Sequence, residues 1–318
     1  MLLKQTSSSP KGAFIMNQRI IEIVSDFHLA KRKYFYKKYG TFSNFIKLRY
    51  KLHGFLLNFV KLNRIINGVS LEILNDRRLN INKPTIFAVT HVGGDDIESA
   101  FEAIKTPAHL LLGDPKELYL NAAGLLLFFN GVIGMDTKDK LDRRICKERA
   151  VATLRKGGNV LIFPEGAWNI SPNQLVYYMY SGAVQMAIEA DAQIIPVAIL
   201  KNRKTYTVNI GENIDYSNTT LKDKYILTEE LRDTLATLQY ENIESQPMQK
   251  HEILKSDSYD EFVNDIINSH NGTSFGIKDV YETRYKPKNI TSNRDAFSHL
   301  NTIDINAKTA FLFNKRLF

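Results

Sequence analysis

Cysteine is almost missing from this 318-residue chain: the single one, Cys146, excludes an intramolecular disulfide and argues against a cysteine-rich zinc site. It lies in the charged, helix-like stretch LDRRICKERA with no histidine close in sequence, so an inert thiol is expected. Long apolar runs are missing as well. The longest, AAGLLLFFNGVIGM at 122–135, is interrupted by Asn130 and falls short of the roughly 20 residues that a bilayer-spanning helix needs. The opening MLLKQTSSSPKG has no apolar signal core. These absences lead to the expectation of a cytoplasmic protein that meets membranes only peripherally, on their inner face. Internal repeats and low-complexity tracts are also lacking.

The most local absence is of acidic residues, none of which occurs from Phe27 to Leu71, while Lys31, Arg32, Lys33, Lys37, Lys38, Lys47, Arg49, Lys51, Lys61 and Arg64 are all basic. Within this stretch Phe45, Leu48, Leu52, Phe55, Phe59, Leu62 and Ile66 recur at steps of three and four, which predicts a helix with one apolar stripe. Two readings follow. Basic residues flanking a Phe and Leu stripe suit a helix lying on an anionic membrane, where each cation near the surface adds about 1 kcal/mol. The same stripe also suits ordinary packing on a domain core. The formal net charge of +8 favours an anionic partner. Nucleic acid is not expected, because no binding motif accompanies the charge.

The middle of the chain alternates apolar or β-branched runs with helix-like segments. TIFAVT (85–90), AHLLLG (108–113), GVIGMD (131–136), NVLIF (159–163), IIPVAIL (194–200) and TYTVNI (205–210) read as strands; 95–105, 139–156 and 182–191 read as helices. This alternation predicts an α/β fold with a mixed, largely parallel sheet flanked by helices. Ligands in such folds gather beyond the carboxyl ends of strands, where His91 and FPEG (163–166) both fall. After about residue 220, LTEELRDTLATLQYEN and SYDEFVNDIIN look helical, and a polar tail ends in FLFNKRLF. The expected organisation is a basic amphipathic membrane-interface segment at 1–70, a catalytic domain at 71–240 and a C-terminal extension at 241–318.

A histidine followed five residues later by aspartate occurs three times: His91 with Asp96, His109 with Asp114, and His299 with Asp304. His109 and Asp114 bound an extended run, which puts them about 16 Å apart. His299 and Asp304 sit in the weakly patterned tail. Between His91 and Asp96, however, VGGD can turn sharply, because glycine tolerates positive φ. Asp95 with Glu98 fits a capping box, leaving Asp96 for the imidazole. A carboxylate on one ring nitrogen leaves the other as a base. The alternative is a histidine merely satisfied by a helix cap.

FPEG, together with THVGGDD, GVIGMD and IIPVAI in this order, resembles the glycerolipid acyltransferase family, which includes the 1-acylglycerol-3-phosphate acyltransferases; the likeness spans about residues 70–235. The resemblance implies transfer of a fatty acyl group from acyl-CoA or acyl-carrier protein, as co-substrate, to a hydroxyl on a lysophospholipid or related lipid. No cofactor or metal is implied. His91 would be the general base and Asp96 its orienting partner. Glu165 and Gly166 match an invariant block that shapes the acceptor side, and Pro196 matches a block associated with acyl or acceptor binding. Backbone N–H groups near Gly166 or the Gly93–Gly94 turn are candidate oxyanion donors, and LLLFF at 125–129 is a candidate acyl groove.

The match has gaps. Thr137 stands where the family carries a phosphate-gripping arginine, Ala167 and Trp168 replace the threonine and arginine of FPEGTR, and Tyr180–Ser181 precede Gly182 where a lysine is usual. Neutral groups do not reproduce arginine's bidentate fork. Lys138, Lys140, Arg143 or Arg144 are candidate replacements. An acceptor other than a simple glycerol phosphate is therefore expected, such as an aminolipid or a saccharide set against the flat face of Trp168, with lysophosphatidate as the other option. Competing classes are a His-dependent hydrolase, a non-catalytic membrane-binding protein, and a metal site at His91, Asp95 and Asp96 that would need a further ligand the sequence does not offer.

Overall fold

Runs of β-branched and aliphatic residues with no polar interruption belong in strands covered on both faces, and three of them form the centre of this structure. The computed structural model describes residues 18–40, 46–79, 82–113, 129–171, 173–247, 257–268 and 276–287. Its elements are α1 (Gln18–Tyr39), α2 (Ile46–Ile66), β1 (Ser70–Asp76), β2 (Thr85–Val89), α3 (Asp96–Ile104), β3 (His109–Gly113), β4 (Val132–Met135) and α4 (Lys140–Arg155). There follow β5 (Val160–Ile162), α5 (Gly182–Ala190), β6 (Gln193–Asn202), β7 (Thr205–Ile210), β8 (Ile214–Asp215), α6 (Lys224–Glu244), α7 (Ser258–Asn268) and α8 (Ile277–Thr283). All of them lie in one compact unit, Met1–Tyr285. The FLFNKRLF tail, the His299–Asp304 pair, Phe45 and residues 125–128 of the LLLFF run lie outside the described residues.

The sheet runs β1-β7-β6-β2-β5-β3-β4, with β8 also on β6. The pairs β1–β7, β6–β2, β2–β5, β5–β3 and β3–β4 are parallel, while β7 and β8 run antiparallel to β6. This is the mixed, largely parallel sheet expected from the alternation of runs. Residues alternate across it. Ile86, Ala88, Val160, Ile162 and Ile194 join the core beneath α4, α5 and α6, whereas Phe87, Val89, Leu161, Ile195 and Val197 join the core beneath α3. Apart from Ala88, each of these buried side chains contributes about 1.5–3 kcal/mol of burial. Four elements were not expected from the sequence: α1, β1, whose SLEILND places acids in an edge strand, the two-residue β8, and the short α8.

The basic front section folds as two helices, and part of its charge docks it to the domain. Arg32 makes a bidentate pair with Asp142 at 2.9 and 2.7 Å, Lys33 pairs with Asp139, and Arg64 grips Glu102 at 2.7 and 2.9 Å. Tyr36 also donates to Glu148 at 2.8 Å. The outcome for α2 is the reverse of core packing. Its inner face is mixed, with Arg49, Tyr50, His53, Leu56, Leu57 and Arg64, whereas Leu48, Leu52, Phe55, Phe59, Leu62 and Ile66 are exposed, Phe55 at 71% and Ile66 at 73%. The predicted stripe exists, and it faces away from the protein.

His109 begins β3 at the pole of the sheet remote from His91, fully buried, and among the described residues neither ring nitrogen has a hydrogen-bond partner within normal geometry. Burial, aided by the Arg49 and Arg149 charges, lowers its pKa from 6.5 to about 4. The folded protein therefore holds this imidazole neutral where the unfolded chain would protonate it. Its contribution is intact above pH 6.5 and declines as the pH falls toward 4, by on the order of 3 kcal/mol in total. Denaturant unfolding at pH 7.5 and pH 4.5 checks this: His109→Leu should lose much less stability across the interval than the native chain, and equal losses would refute the assignment.

Candidate active site

β2 and β5 are parallel neighbours with Ala88 level with Ile162, so the segments leaving their carboxyl ends emerge side by side. His91 follows one strand and Phe163–Gly166 the other. Beyond His91 the chain reverses through Gly93 (φ +77°) and Gly94 (φ +67°), both in the left-handed region where a side chain would be strained. That reversal brings the first residue of α3 back onto the strand end. Asp96 Oδ2 accepts from His91 Nδ1 at 2.7 Å, from the Val92 N–H at 2.9 Å and from the Gly93 N–H at 2.8 Å. The aspartate is 1% exposed and the histidine 17%. In the neutral tautomer with its proton on Nδ1, Nε2 carries the lone pair.

The expected capping box did not form. Asp95 occupies the N-cap, but its carboxylate makes no capping bond; its carbonyl accepts from Ser99, and its N–H donates to the Tyr206 hydroxyl at 2.8 Å. Asp96 supplies the polar closure instead, because the double-glycine reversal points the Val92 and Gly93 N–H groups at it. Burial raises the Glu98 pKa to about 7.

The loop after β5 clamps the histidine's main chain from both sides. Glu165, fully buried, accepts from the His91 N–H through Oε1 at 2.9 Å and from the Tyr177 N–H through Oε2 at 2.8 Å, and the Asn169 N–H donates to the His91 carbonyl at 2.7 Å. Burial raises the Glu165 pKa to about 7 against the pull of those N–H donors. Glu165, expected on the acceptor side, turns its carboxylate onto the His91 and Tyr177 main chain. Phe163 stacks on the imidazole at 4.2 Å between centroids, and Trp168 meets it edge-on at 6.2 Å.

Other expected site residues are placed less directly. Trp168 is 6% exposed, its ring lying against Gly93 and within a cluster that contains Val263, Ile266 and Val280 of α7 and α8. It is a packing residue rather than an open platform, and Ala167 is buried in the same cluster. Gly166 is exposed with φ +71°, and a Cβ there would lie 2.6 Å from the Tyr180 ring. Thr137 sits at the same pole as His91, with its methyl against Gly113 at the end of β3. Pro196 is not brought to the imidazole. It pairs with Ala88 inside the sheet, and its ring packs by Gly211 and Leu238 on the face opposite α3. Two proposed oxyanion donors are also already engaged: the Gly93 N–H by Asp96, and the Gly166 N–H by the Phe163 carbonyl at 3.1 Å.

Cys146 is inert, as expected: its thiol is buried against the Gly134 carbonyl at 2.9 Å, and burial pushes its pKa up to about 12. Among the described residues no three His, Cys, Asp or Glu side chains converge as metal ligands. What sequence reasoning missed is the contribution of α7 and α8, whose contact with the site loop depends on tertiary packing that no local pattern encodes.

Residues 70–200, which include His91, Asp96 and the Pro-Glu-Gly loop, match the family model described as Acyltransferase. This stretch of the chain is similar to an acyltransferase domain. The fold of the chain is similar to the crystal structure of the 1-acyl-sn-glycerophosphate acyltransferase PlsC from Thermotoga maritima, with a TM-score of 0.51 and 13% identity over 73% of this chain and 100% of that one. No curated protein matches this chain.

Proposed function

We propose that the enzyme transfers a fatty acyl group from acyl-CoA or acyl-carrier protein to the hydroxyl of a lipid acceptor of the lysophospholipid type, with His91 as general base and Asp96 as its orienting partner. The observation that carries this is the 2.7 Å bond from His91 Nδ1 to an aspartate oxygen that two backbone N–H groups also hold. Nε2 takes the acceptor's hydroxyl proton as the oxygen attacks the thioester carbonyl. The tetrahedral oxyanion collapses, the C–S bond breaks, and the leaving thiolate receives that proton from the imidazolium. Such base catalysis contributes about 100-fold to 10,000-fold. Cys146 is buried away from the base, which supports direct transfer over a thioester on the enzyme. A panel of lysophosphatidate, other lysophospholipids, monoacylglycerol, aminolipids and saccharides, offered with both donors and followed by mass spectrometry, tests the reading. Acyl transfer to lipid hydroxyls supports it, and turnover with saccharides alone would overturn it.

The exposed face of α2 supports delivery of that lipid from a membrane surface. Leu48, Leu52, Phe55, Phe59, Leu62 and Ile66 lie on it, and Lys47, Lys51 and Lys61 form no ion pair among the described residues. No described helix is long and apolar enough to cross a bilayer, so the helix would lie in the interface. Replacing Phe55 and Phe59 together by Asp should lower partitioning onto vesicles containing anionic lipid by about 10-fold or more, with the melting temperature little changed. Unaltered partitioning in a flotation assay would refute the membrane role.

A further inference from the structure

The reversal that carries Asp96 back to His91 turns on a glycine, and a glycine does not hold a conformation by itself. Gly93 sits at φ +77° with no side chain to wedge it, so its neighbours must fix the peptide that presents its N–H to Asp96. Two residues beyond the stretch that matches the family model contribute to this. The first is Tyr206 of β7, whose hydroxyl accepts from the Asp95 N–H at 2.8 Å and lies 3.5 Å from the Gly93 carbonyl. The second is Ile266 of α7. A Cβ built on Gly93 would meet the Ile266 Cγ2 methyl at 2.9 Å and the Trp168 ring at 3.4 Å. The methyl fills the place that a side chain at residue 93 would take.

α7 is itself tied down near both ends. Close to its start the Tyr259 hydroxyl donates to the Ile170 carbonyl at 3.0 Å, and close to its end Asp265 pairs with Lys201 of β6 at 2.6 Å. Val263 and Ile266, three residues apart on one face of the helix, are buried in a cluster with Ala167, Trp168 and Ile170. A helix anchored in this way holds the methyl as a fixed stop rather than a loose cover. The path from it to the imidazole is short. Ile266 Cγ2 abuts Gly93, the Gly93 N–H donates to Asp96 Oδ2 at 2.8 Å, and the same oxygen accepts from His91 Nδ1 at 2.7 Å.

We propose that Ile266 is a positioning residue: through its Cγ2 methyl, α7 fixes the Gly93 peptide and with it the carboxylate that orients His91. This gives a helix outside the matched residues a part in acyl transfer. The inference rests on the reading of His91 as the general base given above. Its signature is one of shape rather than size. Valine keeps the Cγ2 methyl and loses only Cδ1, whereas leucine keeps the full volume but moves the branch from Cβ to Cγ and takes the methyl away from the glycine. If Ile266 only filled space, leucine would be no worse than valine, because volume-conserving changes are the best tolerated. A positioning role reverses that order.

Steady-state transfer from palmitoyl-CoA to 1-acylglycerol-3-phosphate is measured in the full-length protein for the native chain and for Ile266→Val, Ile266→Leu, Ile266→Ala and Leu235→Ala. The last is a control that opens a cavity in the core beneath α4, α5 and α6, away from the turn. In parallel, proton NMR follows the downfield resonance of the His91 Nδ1–H bonded to Asp96, assigned by its loss in His91→Ala. In Ile266→Leu and Ile266→Ala kcat should fall about 10-fold to 100-fold, the scale of a displacement of about 1 Å at the reacting groups, with KM changed less than about threefold. Ile266→Val and Leu235→Ala should keep kcat within about threefold of native. The resonance should be retained in those two forms and lost or shifted upfield in the leucine and alanine forms. Native kcat and an unmoved resonance in Ile266→Leu would overturn the proposal. Equal losses of kcat in Ile266→Val and Ile266→Leu, or a comparable loss in Leu235→Ala, would do the same. Should Ile266→Ala fail to fold, the valine and leucine forms decide alone. If the native protein transfers no acyl group to this acceptor, the acyl-transfer reading fails there by itself, and the resonance still decides whether Ile266 holds the turn.

Discussion

Replacing His91 by alanine should lower kcat by about 1,000-fold, within the range that a positioned general base contributes, while leaving the fold intact. The ring makes one side-chain hydrogen bond, to Asp96, and stacks on Phe163. Its main chain is held independently by Glu165 and Asn169. The truncated residue therefore keeps its place, and the Val92 and Gly93 N–H groups still satisfy Asp96. A single-turnover assay on a variant with native circular dichroism measures the effect. A fall below about tenfold would mean that the proton goes elsewhere.

Asp96→Asn is the second large effect, and its size separates two roles. Sequence reasoning alone expects an asparagine to select the wrong tautomer, a change worth about 10,000-fold in catalytic triads. The geometry here argues for less. Two backbone N–H donors and the imidazole converge on one oxygen, so an asparagine must present its carbonyl oxygen to them, because its NH2 would face those donors. The Nδ1–H tautomer survives, and the negative charge beneath the imidazolium is lost. A kcat decrease of about 10-fold to 100-fold is expected for Asn. Asp96→Ala, which strips the partner from both buried N–H groups, should lose about 1,000-fold and about 2 kcal/mol of stability. Equal losses for Asn and Ala would contradict this account of the turn.

The parts of the structure legible in the sequence were those with a local cause. Uninterrupted apolar runs marked β2, β5 and β6, and helical spacing marked α2 to α6. The double glycine marked the reversal that joins His91 to Asp96. Three things had no local cause. β1 is an edge strand with no alternation to betray it. The orientation of the α2 stripe was undecidable, because a stripe is the same pattern whether it meets a core or a membrane; only the inward placement of Arg49, His53 and Arg64 settles which face docks. The directions of the Glu165 and Trp168 side chains were not legible, because a motif names residues without saying where they point. Glu165 turns inward to hold the main chain, and Trp168 is covered by α7 and α8, helices more than 80 residues further along the chain.

The most direct test of direct acyl transfer follows thiol release and ester formation together, in one time course, using palmitoyl-CoA with and without a lysophospholipid acceptor. The account predicts one ester for each thiol released, almost no release without acceptor, and no acylated protein by intact-mass analysis. Rapid thiol release in the absence of acceptor, or an acyl adduct on the chain, would contradict it.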